Sequence, residues 1–445
     1  MSMLSRDEAG ALLRKVLSFS KAETCEASLN GSTVGNLRYA RNTVSTSGVV
    51  EDLQLVVRSS FGRRSAAATI NELDERSLET VVRRAEELAR LAPENPEYMP
   101  PLGPQRYPEV GGYFEGTARI DAAYRADVAA GSIQPARAAG AVAAGYFEHT
   151  TGFQALKNSN GLFAYYPSTD LSFSITMRSE DGSGSGWVGR NENDVGRLDH
   201  AATSRLALDK ALRSREPKSI EPGKYTVVLE PSASIDLLNN MFFGFDRRQA
   251  DEGRSFLSKP GGGNKLGEKL FDERVTVYSD PAHPDVPTAP WNQEGLPRGR
   301  TVWIERGVVK SLFCSRFWAQ KQQAQAIPFP ANGIMEGGGA TIDDLVASTE
   351  RGILVTRTWY IRVVDPQTVL LTGLTRDGTF LIEKGKLAYP VKNLRFNESP
   401  VTMLNNLEAL GQPMRVQGGD DGGGAIMVPP MKIRDFTFTS QSDAV

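Results

Sequence analysis

An α+β fold in two parts is predicted for this 445-residue chain. Three observations predict it: helical periodicity brackets a β-prone N-terminal stretch, a proline cluster follows over 93–108, and from about residue 299 most segments have strand character. The expected architecture is an N-terminal antiparallel sheet with packed helices over 1–218. A β-rich C-terminal domain follows over 219–445, built as a barrel or as packed sheets.

Each element has its own warrant. Ser5-Arg6-Asp7-Glu8 has the form of a capping box, and Leu12, Leu13, Val16 and Leu17 continue it as a helix over about 6–18. From Ala22 to Thr69 the chain reads as short antiparallel strands, such as Glu51–Val57, with turns expected at Gly31, Gly35, Gly48 and Gly62. Leu78, Val81, Val82, Ala85, Leu88 and Ala89 recur at offsets of three and four, which puts one apolar stripe on a helix over about 76–92. Pro93, Pro96, Pro100, Pro101, Pro104 and Pro108 then exclude regular helix or central strand and predict an extended connector. Asp121 to Gly145 is helix-prone, Gly152 to Arg178 is β-like, and Asn193 to Arg215 reads as a helix running into Pro217. In the second part Lys224–Pro231, Thr301–Ile304, Val308–Phe313, Gly352–Val364, Thr368–Leu374, Phe380–Ile382 and Lys432–Thr439 read as strands.

Composition narrows the function. The chain carries 51 Lys and Arg against 53 Asp and Glu, a formal charge of −2, so no global field draws it to nucleic acid or to an anionic membrane. Two cysteines, Cys25 and Cys314, are too few for a disulfide-stapled fold. With no basic-then-apolar leader pattern and no apolar run long enough to span a bilayer, a cytoplasmic location is expected.

Familiar catalytic patterns are incomplete. His149, His200 and His283 are widely separated, and none forms the one-helix-turn pair that half-builds a zinc site. Lys259–Lys269 superficially has the look of a phosphate loop, but Gly267 is followed by Glu268, a carboxylate that would repel phosphate. Asp181–Trp187 lacks dinucleotide spacing, and Gly182–Gly186 has glycine where a nucleophile elbow needs serine. Cys314 lies in an apolar, strand-like stretch and reads as core. Asp420-Asp421-Gly422-Gly423-Gly424 reads as a solvated turn that could at most hold a weak hard cation.

A resemblance spans essentially the whole chain. Leu156–Gly161, Pro222–Pro231, Glu294–Arg298 leading into Ile304–Lys310, Gly352–Thr356 and Leu381–Asn393, in that order, resemble the TldD/PmbA family of zinc metallopeptidases. TldD-type members carry His-Glu-x-x-x-His on a helix after the Leu-x-Pro strand, and a late cysteine resembling a third ligand. Here the corresponding stretch, Ile235–Phe245, has neither His nor Glu, and Val416–Gly422 has no Cys. The resemblance is therefore to the TldE/PmbA branch, which implies no catalytic or metal residue in this chain and no cofactor of its own. Zinc would reside in a TldD-like partner of a heterodimer that encloses extended peptide. Leu238, Asn239, Met241, Phe242 and Phe243, at the position of the metal motif, are the candidates to line the peptide slot, with packing as core the alternative. Two other readings stay open: a self-sufficient peptidase using His283 or Asp421, and a homodimeric peptide-binding protein without protease activity.

Overall fold

The computed structural model describes residues 3–416 and 425–442. Helix α1 (Arg6–Ser18) opens on the expected box: the Ser5 hydroxyl accepts the Glu8 N–H, and the Glu8 carboxylate accepts the Ser5 N–H at 2.8 Å. Strands β1 (Thr24–Ala40), β2 (Thr43–Phe61) and β3 (Arg64–Ile70) follow, then α2 (Glu75–Leu91), capped by Asp74. Past the proline-rich connector come α3 (Glu115–Ala118), α4 (Ala122–Ala138), β4 (Ala141–Asn158), β5 (Phe163–Ser179), β6 (Ser185–Glu192) and α5 (His200–Arg213).

The strands are longer than the sequence predicts. Gly31, Gly35 and Gly48 lie inside β1 and β2 rather than in turns, and of the four expected turn glycines Gly62 alone sits between strands. For two of them the reason is close approach: a Cβ on Gly31 would stand 2.5 Å from the Phe153 ring, and one on Gly35 2.2 Å from His149 Nε2, whereas at Gly48 it would meet nothing within 4 Å. The helix expected over 193–215 likewise begins only at His200, where Asp199 caps it.

β1 to β6 form one antiparallel sheet in the order β3-β2-β1-β4-β5-β6. Alternation gives it two unlike faces. On one, Ala27, Leu29, Leu55 and Val57 meet α1 and α2, while Leu37, Phe147, Phe173 and Ile175 meet α4 and α5. On the other, Glu26, Ser28 and Asn30 of β1 point away from every helix and toward the C-terminal half. β2 pairs with β3 only over Leu55–Phe61, so its Thr43–Gln54 edge has no strand beside it among the described residues, and Val44, Val49 and Val50 are exposed there.

After residue 222 come two further sheets, so the β-rich half is built of packed sheets. β7 (Gly223–Leu229) lies in the middle of a nine-stranded sheet, between Arg351–Val355, parallel to it, and Met431–Gln441, antiparallel. Thr301–Glu305, Val277–Ser279, Asn332–Met335 and Ala425–Val428 are central to a six-stranded one. Two expected strands are shorter than predicted. Val308–Phe313 keeps only Val308–Val309, and Gly352–Val364 breaks at Thr356, whose hydroxyl bonds the Asp377 and Gly378 carbonyls.

The two parts meet through buried polar contacts. Arg415 donates to the side-chain oxygens of Asn191 and Asn193, both at 2.6 Å, Lys210 reaches Glu230 at 2.6 Å, and Asp377 takes Ser185 and Arg357.

One buried pair sets an acid limit on stability. Arg125 can only donate, so its 3.2 Å contact makes His149 Nε2 an acceptor and places the imidazole proton on Nδ1, which has no partner. Burial, aided by the Arg125 charge, pulls the His149 pKa from 6.5 to about 4. The unfolded chain therefore takes up the proton first, and stability present above about pH 6.5 drains as pH falls toward 4. His149→Gln should remove on the order of 2 kcal/mol of the difference in urea-unfolding free energy between pH 7 and pH 4.5. An unchanged pH dependence would contradict this assignment.

Candidate functional site

Helix α6 (Pro231–Phe242) leaves the middle of the nine-stranded sheet directly from β7. Pro231 occupies its first turn, where no backbone donor is needed, and the Lys210 ammonium neutralises Glu230 at its start. The helix is buried on almost every side, its polar Ser232, Ser234 and Asp236 included. Ile235, Leu237 and Met241 enter the main core with Trp303, Phe271 and Phe436.

Four of the five slot candidates share one cleft. Leu238, Asn239, Phe242 and Phe243 form one wall of an apolar cleft of about 260 Å³, opposite strands Asn332–Met335 and Ala425–Val428. Met241 is fully buried in the core instead and does not line it. At the rim Phe243 (60% exposed) stacks with Phe329 (41% exposed), ring planes 14° apart. Two large aromatic rings in water beside an apolar cleft are the surface chemistry of a binding site.

A second, larger cleft of about 770 Å³ lies between the helix-free face of the N-terminal sheet and the loops of the C-terminal half. Its floor is mostly polar, with Glu26, Ser28 and Asn30 of β1, Gln54 and Arg58 of β2 and Gln154 of β4, interrupted by Val56 and Leu156. Its far wall includes Trp291–Glu294 and Ser315–Phe317. Burial raises the Glu26 carboxyl above its ordinary value, with Arg58 pulling it down. The two clefts are neighbours, because Arg298 lines the polar one and donates from Nε to the carbonyl of Phe329, which lines the apolar one.

The remaining sequence features have structural occupations. In Leu156–Gly161, Asn158 closes the β4–β5 turn by accepting the N–H groups of Asn160 and Leu162, and its amide holds the connector at Leu102. Arg298, at the end of Glu294–Arg298, ties down the carbonyls of Ala289, Trp291 and Phe329, and burial pulls its pKa down to about 10. Lys259 pairs with Glu268 across the glycine-rich loop, and Asp181 accepts the Ser179 and Ser183 hydroxyls in a turn. Cys314 is buried, His200 faces Asp127, and His283 Nδ1 accepts the Asp285 N–H. Asp420 and Asp421 lie outside the described residues.

A zinc ion does not fit α6, whose side chains include no imidazole, thiolate or glutamate and a single carboxylate, the buried Asp236. Among the described residues no three His, Cys, Asp or Glu side chains converge as a metal set. No described helix is long and apolar enough to cross a membrane. The polar cleft escapes sequence reading altogether. Alternation could mark Glu26, Ser28 and Asn30 as one face of a strand, but nothing in sequence sets Gln54 and Gln154 beside them.

Comparison with known proteins places these features in a family. Profiles of the PmbA/TldA metallopeptidase central domain and C-terminal domain match residues 117–215 and 222–440. A "Metalloprotease" of Methanothermobacter thermautotrophicus is 24% identical over 62% of this chain, which spans about 63% of that relative's length. TldE from Thermococcus kodakarensis superposes with a TM-score of 0.86 at 16% identity, over 97% of this chain and 99% of that one. A Thermotoga maritima protein, whose name proposes a role as a modulator of a DNA gyrase, superposes equally well over 97% of this chain and 100% of its own, at 15% identity.

The division of α6 between core and cleft is testable by stability alone. Met241→Ala should cost about 2–4 kcal/mol in urea unfolding, as a cavity in a packed core does. Phe243→Ser should change it by less than about 0.5 kcal/mol while weakening binding of an apolar fluorescent dye. Equal costs at the two positions would refute the division.

Proposed function

This chain belongs to the PmbA/TldD metallopeptidase family, and on that premise we propose that it is the zinc-less subunit of a TldD/TldE-like protease complex acting on unfolded or modified peptides. The observation that carries the reading is α6. Where the TldD type would present His, Glu and His, this helix presents Leu238, Asn239, Phe242 and Phe243 to an apolar cleft. Such a surface holds substrate rather than reacts with it. Burying one leucine or phenylalanine side chain of a peptide there is worth about 2 kcal/mol, enough to anchor an extended chain without fixing its sequence. The similarity to TldE supports the same assignment.

Zinc, with its capacity to polarise a peptide carbonyl and to lower the pKa of bound water, would be supplied by a TldD-type partner. This subunit would contribute binding surface and access control. Peptide enters an enclosed space, one apolar side chain seats between α6 and strand Asn332–Met335, and water is excluded around it.

Co-expression with a His-Glu-x-x-x-His paralogue, followed by size-exclusion chromatography, metal analysis and cleavage of an unfolded polypeptide, tests the reading. The expected result is a mixed complex, zinc in the partner, and no cleavage by this chain alone. Phe243→Asp with Phe329→Asp, both at the exposed rim of the cleft, should slow cleavage by the complex about tenfold without dissociating it, through loss of the anchor. Stoichiometric zinc with chelator-sensitive cleavage by this chain alone would overturn the proposal. Exclusive homodimers in the presence of the paralogue would favour a peptide-binding protein instead.

A further inference from the structure

The floor of the polar cleft is ordered in a way its lining alone does not reveal. In the strand registers Asn30 stands directly opposite Gln54 on one side and Gln154 on the other. Three carboxamides thus form one rung across β2, β1 and β4, about 4.8 Å apart from strand to strand. All three are exposed, line the cleft, and make no hydrogen bond with any described residue. Each keeps an acceptor oxygen and two N–H donors for something else.

The neighbouring rungs define what that is. Next along the sheet on one side is Ser28, between Val56 and Leu156, and beyond it Glu26, between Arg58 and Asn158; on the other side is Ser32, between Asp52 and Gly152. The charges of Glu26 and Arg58 offset each other within their own rung. Across the cleft Glu294 stands 3.7 Å from Arg316, and Glu97 is paired with Arg248 at 2.9 Å. A cleft with balanced charge and a free row of groups that both donate and accept favours a ligand of the same kind: uncharged, with amide or hydroxyl groups. A carboxylate arriving at Asn30 would lose hydration and meet Asp52 one rung away, while an ammonium would find there only an exposed carboxylate that stays solvated. Because the apolar cleft lies just beyond Arg298, the ligand also has an apolar part to place there. A peptide carries both kinds of group on one chain, whereas a neutral glycan lacks the apolar anchor.

We propose that the Gln54–Asn30–Gln154 rung is a specificity subsite for the uncharged polar segment of an extended peptide, one rich in Asn, Gln, Ser or Thr, whose apolar side chain is seated at α6. The proposal rests on the peptide-binding reading and adds which peptides are taken.

Fluorescence anisotropy with labelled peptides tests it, on the full chain alone and on its complex with a TldD-type subunit. Every peptide carries one Leu-Phe anchor, followed by a segment of Gln, Asn and Ser, of alternating Glu, of alternating Lys, or of Ala. The uncharged polar segment should bind at least about tenfold tighter than the others, and each of Asn30→Ala, Gln54→Ala and Gln154→Ala should weaken it about threefold to tenfold, as loss of one or two amide hydrogen bonds does. An unchanged urea-unfolding midpoint for each variant reports that it folds. Asn30→Asp keeps the shape and adds one charge, so it should move the preference to the Lys segment, a change that mere loosening of the sheet would not produce. Wild-type binding that is equal for all segments overturns this inference and leaves the peptide reading standing. No binding of any peptide by chain or complex overturns both. Saturable binding of a neutral oligosaccharide, lost in Asn30→Ala, with no preference among the peptides, would assign the rung to glycan and overturn the proposal.

Discussion

The two-residue period of β1 is the constraint on which this architecture depends. Cys25, Ala27, Leu29, Leu37 and Tyr39 face one way and Glu26, Ser28 and Asn30 the other, so this strand is apolar on one side and polar on the other. The four helices that need an apolar surface must share one side. The C-terminal half is left with the polar side. It docks there through pairs such as Arg415 with Asn191 and Asn193, and through a small apolar cluster in which Trp291 meets Leu156, Leu162 and Tyr166. A surface held in that manner leaves room between its contacts, and the large polar cleft is that room.

The apolar cleft has a different origin. A helix that leaves a central strand is buried over most of its length, and at its end Phe243 comes out to the surface. Phe243 and Phe329 are what remains of that core at the surface. The same helix position that could display metal ligands displays rings here, with no change in the strand that launches it. Fold and chemistry are separable at this point, as they are wherever function rests on side chains grafted onto a stable frame.

Local features were legible in the sequence and pairings were not. The Ser5–Glu8 box, the 76–92 stripe and the proline connector each depend on residues close in the chain, and each appears where the spacing predicts it. Gly31 and Gly35 misled because a glycine that admits a neighbour's ring looks the same in sequence as one that permits a turn. The wall formed by Leu238, Asn239, Phe242 and Phe243 was found by position within a family pattern, yet Met241 falls between them in sequence and into the core in space. The amide rung was out of reach: residues 30, 54 and 154 become neighbours only through strand register, which side-chain alternation constrains to a face but not to a partner.

The open edge of β2 has a consequence for the protein as a solute. From Thr43 to Gln54 a row of backbone donors and acceptors faces outward, with Val44, Val49 and Val50 exposed beside it, the combination that invites strand after strand to add without end. Glu51 and Asp52 interrupt that row immediately after the valine pair, and a second chain approaching the edge must bring its own carboxylates against them. The part of β2 that runs on past the cleft exposes the chain to edge-to-edge pairing with a second copy, and two acidic residues oppose it.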